Sequence, residues 1–564
     1  MFIYGGFIMN KSFRSILSII LCAVIALTVS VTAFASELTG SGTATDPYKI
    51  STAADLDELS ARVAAGDSFA GKFFILTDSF AVSSSFNPIG TKTSPFKGTF
   101  DGNGQTLSRF NVRKDNAGLF AYLSGATVKN LTVSGYFKAT GYAGAIASYA
   151  ESATITGCTC TASVYADNYA GGIVGYIADG IIDNCKTSNR ATIGGYVEYC
   201  GGMAGFSGAD ITNCVNNGYV FGEKSTGGIA GTSTGSIVSC TNTALVEGGD
   251  PNLGGIAGLT EGTVKYCKNT GRIATTDSDV GNVGGIVGVG YKADIVECIS
   301  AGAVAATANY AGGIAGYLTA GSVTNCVAAA NVSTTKNYAG GIFGYSASTA
   351  VSKCVFTAFV STNASSATDG AIGAVSGGTV TDCYYNSDNE TRVLYTGKAT
   401  NTTGITSGAV LNKDSFAALD FKNVWDISSF HASYPLLRNI PFHSLTTDSV
   451  TAASCTVDGV KTETCSQCKE VIKTITPAYG HSFKVVSSKA ATCTEAGYED
   501  KLCSTCKATD STVYPAKGHT DANNDSICDV CNSSTKLEAD KGGLLQKIAD
   551  FFNKIIQWII NLFS

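Results

Sequence analysis

Residues 226–240 open on Thr226-Gly-Gly-Ile-Ala-Gly231 and close on Ile237-Val-Ser-Cys240. The opening phrase recurs up and down the chain. It reads AGAIAS from Ala143, AGGIVG from Ala170, CGGMAG from Cys200, LGGIAG from Leu253, VGGIVG from Val283, AGGIAG from Ala311 and AGGIFG from Ala339. Degenerate copies stand at Ala117 and Asp369, so Gly118 to Gly370 spans nine intervals averaging 28 residues. A fixed period of that length, repeated ten times, is the mark of a solenoid.

The closing phrase recurs with it. Cys158, Cys185, Cys214, Cys240, Cys267, Cys298, Cys326, Cys354 and Cys383 each follow, three residues on, one of Ile155, Ile182, Ile211, Ile237, Val264, Ile295, Val323, Val351 or Val380. Six residues after the cysteines come Val164, Val220, Val246, Ile273, Val304, Val332 and Val360, with Ala191 out of pattern. Each repeat thus offers three short β-branched strands set between Gly, Asn, Ser and Thr turns. No repeat carries a helical period. The expected fold is all-β: a right-handed parallel β-helix of about ten coils stacked ~4.8 Å apart. Its repeats occupy 118–390, after an N-terminal cap and first strands (37–117) and before a closing segment (391–445).

In the coil before the first cysteine, Leu131 takes the equivalent place. A position that accepts Leu or Cys is an inward apolar site, so the nine cysteines read as a buried thiol ladder. Neighbours one coil apart are also close enough for some disulfides, whereas a metal ligand does not become leucine. Cys160 and Cys200 fall outside the row and have no evident role. The glycines answer two demands, positive φ in turns and close approach of adjacent coils; none opens a helix as a phosphate loop does.

Composition excludes several functions. The 564 residues include 65 Gly, only 8 Pro and 15% charged residues, with 44% hydrophobic and net charge −6. Disorder needs the opposite balance, and nucleic-acid binding needs a basic face. Four histidines, His431, His443, His481 and His519, all lie beyond the repeats, which disfavours Ser-His or Cys-His hydrolysis within them. The acids Asp183, Asp210, Glu261, Asp294 and Glu297 sit singly near strand ends and form no repeated pair. Tyr169, Tyr310 and Tyr338 precede the glycine phrase; Tyr149, Tyr176, Tyr317 and Tyr345 follow it. Such aromatics pack at strand ends or line a sugar-binding face.

The N-terminus reads as an address. Basic Lys11 and Arg14, an apolar run from Ile16 to Val31 and the small pair around Ala33-Phe34-Ala35 make residues 1–35 a secretory signal. Secretion or display at the cell surface follows.

The phrase G-G-I-A-G-Y followed by S-V-T-N-C resembles the GLUG motif of bacterial surface proteins. Asp46-Pro47-Tyr48, Phe86-Asn87-Pro88-Ile89-Gly90, Pro95 to Gly104, Trp425-Asp426 and Tyr434-Pro435-Leu436 match the customary lead-in and close. The resemblance covers about residues 40–440. It implies an extracellular β-helical protein of a Gram-positive bacterium, adhesin-like, related to arrays beside immunoglobulin-A peptidase domains. The H-E-x-x-H pair of that zinc protease is absent from this sequence.

Beyond the repeats, Cys455, Cys465, Cys468 and His481 recur 38 residues later as Cys493, Cys503, Cys506 and His519, and Cys528-x-x-Cys531 begins a truncated third copy. Three thiolates and an imidazole with a C-x2-C spacing suit tetrahedral zinc; a secreted context equally suits disulfides, and free thiols remain open. These tandem modules span 450–533. Asp521, Asn523, Asp525 and Asp529 space oxygens as a calcium loop does, but Ser526 and Asn532 replace its glycine and glutamate. Residues 542–564 form an amphipathic helix, with Leu544 to Phe563 supplying a broad apolar face and Gln546, Asp550, Asn553, Gln557 and Asn561 the polar one. That pattern predicts peripheral attachment of residues 544–563 to a membrane or cell wall, or self-association. The expected function is non-enzymatic: a stalk or adhesin-like scaffold contacting host-surface or polysaccharide ligands. The alternatives are a β-helical polysaccharide lyase or glycosidase and a ligand-free spacer.

Overall fold

In the computed structural model Ile182 pairs with Ile211 and Ile211 with Ile237, residue opposite residue in parallel register. One winding of chain therefore lies flush on the next. The structure describes residues 38–534 and 542–560, apart from 197, 250–251, 276–279, 364–368, 391, 428–433, 441–444 and 466–470. The signal segment, His431, His443 and Cys468 lie outside the described residues. The described chain forms two compact units, which part between Phe442 and His443.

The first unit is a parallel β-solenoid of about twelve turns, two more than the repeats indicate, because degenerate turns extend it at both ends. A sheet of 14 strands runs its length and another of 10 forms a second wall. From Ala153 to Val375 each turn has five short strands where the pattern gives three, whereas in the two turns before it single long strands, Thr106–Ala117 and Thr132–Gly144, take the place of the middle three. One turn, for example, holds Asp210–Thr212, Val215–Asn216, Tyr219–Gly222, Ser225–Gly227 and Ala230–Ser233. Two-residue strands are too short to show an alternation in sequence. The column Ile155, Ile182, Ile211, Ile237, Val264, Ile295, Val323, Val351 and Val380 is buried throughout. In a third sheet, outside those two walls, Ile193, not Ala191, pairs with Val164 and Val220. A turn around Ser188 and Arg190 delays the apolar residue by two positions.

The residue before each ladder cysteine turns the corner. Asn184, Asn213, Ser239, Tyr266, Glu297, Asn325, Lys353 and Asp382 all have φ between 48° and 56°, as has Asn130 before Leu131. Left-handed backbone costs ~1–2 kcal/mol for an ordinary residue, so Asn and Gly recur here. The glycines of the repeated phrase serve the other demand. A Cβ on Gly228 would stand 2.2 Å from the Gly255 carbonyl oxygen of the next turn and 2.5 Å from Asn242 Cγ. Its φ is not left-handed; close approach alone selects it.

The N-terminal end is covered by the helix Ala53–Ala64, whose Leu56, Leu59 and Val63 are buried. Thr52 caps it, with Asp55 returning a bond to the Thr52 N–H at 2.9 Å. At the other end the closing segment lies along the side of the last turns. The outward column there changes from the mostly polar Thr159, Lys186, Val215, Thr241 and Lys268 to Ile299, Val327, Val355 and Tyr384. The four apolar members share a core with Phe416, Trp425 and Leu437. Trp425–Asp426 pairs antiparallel with Leu436–Leu437, and Trp425 Nε1 donates to Asn325 Oδ1 at 3.3 Å.

The second unit contains two three-stranded antiparallel meanders, Leu445–Thr451, Gly459–Cys465 and Val471–Thr476, then Phe483–Lys489, Gly497–Cys503 and Thr509–Tyr514. A helix follows, Gly542–Ile560, exposing Ile548, Phe551, Phe552, Ile555 and Ile556. Among the described residues no helix is long and apolar enough to cross a membrane.

Candidate metal centres and an aromatic groove

The structure divides the module ligands differently from the sequence copies. Cys455 and His481 meet Cys503 and Cys506, while Cys493 and His519 meet Cys528 and Cys531. Within each set the ligand atoms lie within 4.8 Å of one another. Cys455 Sγ is 3.7 Å from Cys503 Sγ, and His481 Nδ1 is 3.2 Å from Cys506 Sγ. The second set repeats these distances, 3.7 Å for Cys493 to Cys528 and 3.2 Å for His519 to Cys531.

The reason is the meander. Cys493 precedes and Cys503 ends the same seven-residue strand, Gly497–Cys503. At ~3.3 Å per residue that strand spans about 20 Å, so the first cysteine of a copy cannot meet the C-x2-C of its own copy. The strand Gly459–Cys465 sets Cys455 and Cys465 apart in the same way. Each set is therefore shared by consecutive copies, and the truncated third copy is the missing half of the second set. The recurring order is C-x25-H followed by the next C-x2-C.

The C-x2-C turns of the two sets, Cys503–Cys506 and Cys528–Cys531, share one backbone form. The Cys503 N–H donates to the Ala508 carbonyl at 2.8 Å and the Lys507 N–H to that of Cys503 at 3.1 Å, with Lys507 left-handed. Cys528, Ser533 and Asn532 repeat the form at 2.8 and 2.9 Å. These turns aim backbone N–H groups at sulfur. The Cys506 N–H, with His481, holds the Cys503 thiol down to about 5. The N–H groups of Val530 and Cys531 hold Cys528 down to about 5 against the opposing effect of burial. Burial, with the neighbouring sulfurs, pushes Cys455 and Cys493 up to about 11. His481 also stacks on Phe483, ring centres 5.0 Å apart. Each cluster can hold a metal ion. Asp521 instead accepts from the Asp525 and Ser526 N–H groups of its own loop.

All eleven solenoid cysteines are buried and none is bridged. Ladder thiols donate one turn back to the preceding apolar column, Cys240 to the Ile211 carbonyl at 3.5 Å and Cys267 to that of Ile237 at 3.4 Å. Cys160 and Cys200 belong to columns of their own. Cys160 follows Val133 in a row continuing as Thr187, Asn216, Asn242 and Asn269; Cys200 stacks between Ala170 and Thr226. Burial pushes the Cys160 thiol up to about 12. The strand-end acids tie turn to turn: Asp183 accepts from Thr212 Oγ1 at 2.6 Å, Asp294 from Ser322 Oγ at 2.6 Å, and Glu297 from Asn439 Nδ2 at 2.8 Å.

The tyrosines stack in two interlocked columns. Tyr149 and Tyr176 are parallel within 2° at 5.2 Å, and Tyr169 and Tyr199 within 12° at 4.9 Å. Tyr169 meets Tyr176 edge-on at 85°. Inner rings thus cover one another's faces and turn edges and hydroxyls outward. A second group joins Tyr310, Tyr317, Tyr338 and Tyr345. A different aromatic site, without a repeating signal, lies where Gly194 interrupts the column between Tyr165 and Phe221. The missing side chain lets the Phe221 ring fold over Gly194 and meet Tyr165 at 6.3 Å. The result is a groove of about 730 Å³ floored by Tyr136, Tyr165, Tyr219 and Phe221 and rimmed by Lys138, Asp167, Glu223, Lys224 and Glu247. Tyr219 donates to Glu247, and burial with that carboxylate raises the phenol's pKa.

The chain carries the GLUG motif, matched by its family model over residues 307–333. No curated protein matches the sequence. A crystal structure of a candidate immunoglobulin A1 protease from Bacteroides ovatus aligns at 17% identity with a TM-score of 0.30, covering 71% of this chain and 95% of the other. That likeness is too loose to bear on activity.

Proposed function

We propose that this GLUG-repeat β-solenoid is a secreted, surface-held binding scaffold whose ligand is a glycan, taken without chemical conversion. The observation that carries this reading is the groove at Gly194. Half-buried aromatic rings beside carboxylates and lysines fit a sugar, whose C–H faces pack on rings while its hydroxyls bond to the charged rim. The stacked tyrosine columns extend the contact surface along the rod, so weak contacts add through multivalency. The exposed apolar residues of helix Gly542–Ile560 serve attachment, lying in a lipid interface with Lys547 and Lys554 at headgroup level.

The test is a glycan array probed with the full chain, followed by calorimetry on the best ligand. Tyr219→Ala and Tyr165→Ala are expected to weaken binding at least tenfold, with Tyr291→Ala, at an exposed residue outside the groove and the tyrosine columns, close to wild type. Absence of any glycan binding, or indifference to both groove variants, overturns the reading. Release of reducing ends from that ligand, lost in Glu247→Gln, would establish the glycosidase alternative. Sedimentation with anionic phospholipid vesicles tests attachment: Phe551→Asp with Phe552→Asp is expected to abolish it.

A further inference from the structure

We propose that the C-terminal unit binds zinc at two Cys3His centres, each built from two consecutive copies, so that the metal is the joint between modules. This goes beyond the glycan-binding reading and stands apart from it.

Four observations converge. Each set contains three sulfurs and one imidazole nitrogen, all mutually within 4.8 Å. A tetrahedral ion ~2.3 Å from each thiolate separates the sulfurs by about 3.8 Å, and one sulfur pair of each set, Cys455–Cys503 and Cys493–Cys528, lies at 3.7 Å. The same turn geometry recurs at Cys503-x2-Cys506 and Cys528-x2-Cys531. Finally, an odd third cysteine and an imidazole aimed at sulfur have no use in a disulfide, whereas all four donors have one in a closed structural zinc site. Loading one ion releases the protons of whichever thiols are still protonated, and the site then carries 2+ against three thiolates.

The unit is in want of such a joint. Its strand Phe483–Lys489 is exposed along its whole length, and the buried cysteines are among the few buried side chains described there. Small domains without a sufficient apolar core depend on metals or disulfides, and zinc bound only by the folded form adds its binding free energy to folding.

The experiment measures zinc in the purified full-length protein by elemental analysis, alongside cobalt(II) substitution. Wild type is expected to show the visible bands of tetrahedral thiolate-bound cobalt at both centres. Cys528→Ser with Cys531→Ser is expected to remove one zinc per chain, although both residues fall outside the two complete sequence copies. His481→Ala is expected to weaken the first centre and leave the second. If the Cys528/Cys531 variant keeps the wild-type stoichiometry, the shared-copy arrangement is wrong. If the protein holds no zinc and mass mapping finds these cysteines disulfide-bonded, the metal proposal falls, and neither result touches glycan binding.

Discussion

At the scale of single residues, what the sequence makes plain is which side chains face inward, and what it hides is backbone conformation. Ile182, Ile211 and Ile237 announce their column by period alone. The left-handed corner before each cysteine is hidden because it is filled by Asn184 and Asn213 but equally by Ser239, Tyr266 and Lys353; parallel stacking imposes the conformation whatever residue stands there. Those residues carry strain that glycine relieves. Ser239 has φ 56° and no partner for its side chain is needed by the turn, so Ser239→Gly is expected to stabilise the solenoid by about 1 kcal/mol, read as a higher denaturation midpoint. A lower midpoint would mean that the corner is unstrained. The reverse holds at Gly228, where an added methyl meets the next turn's backbone: Gly228→Ala is expected to cost about 3 kcal/mol.

At the scale of elements, a column is the unit of stability, and its chemistry changes along the rod. Two residues after the ladder cysteines stand Asn216, Asn242 and Asn269, fully buried. Asn216 Nδ2 donates to Asn242 Oδ1 at 2.8 Å, and Asn242 Nδ2 to Asn269 Oδ1 at 2.8 Å. Each amide also donates within its own turn, Asn242 to the Ala244 carbonyl at 3.0 Å. The spacing C-x-N was a visible signal for this ladder, but an asparagine among turn residues reads first as a turn. Removing the middle rung takes one of two hydrogen bonds from Asn216 Nδ2 and from Asn269 Oδ1, each keeping the bond within its own turn, and a lost buried bond costs ~1–3 kcal/mol. Asn242→Ala is therefore expected to cost about 3 kcal/mol, and the double variant with Asn269→Ala less than the sum of the two singles, a coupling that a double-mutant cycle measures. Strict additivity would show that the rungs act separately. The metal sets illustrate the opposite limit of legibility: the ligand types were readable, but their partition depended on the ~20 Å length of the intervening strand, which repeat spacing does not reveal.

At the scale of the whole molecule, the two units rest on different physics. The solenoid is held by registered hydrogen bonds and a continuous apolar core into which its cysteines are sealed. The C-terminal unit concentrates its cysteines at the two clusters, where Cys506 and Cys531 are exposed. A chelator distinguishes them in one experiment on the intact chain. In native zinc-loaded protein the eleven solenoid thiols are expected to resist an aromatic disulfide reagent, since burial denies the reagent access to them. Adding chelator is expected to make the six cluster thiols react and to erase only the lower-temperature unfolding transition, because metal bound to one folded unit stabilises that unit alone. Reaction of the solenoid thiols under the same conditions would show that the apolar columns open without unfolding, which stacked, registered turns do not allow.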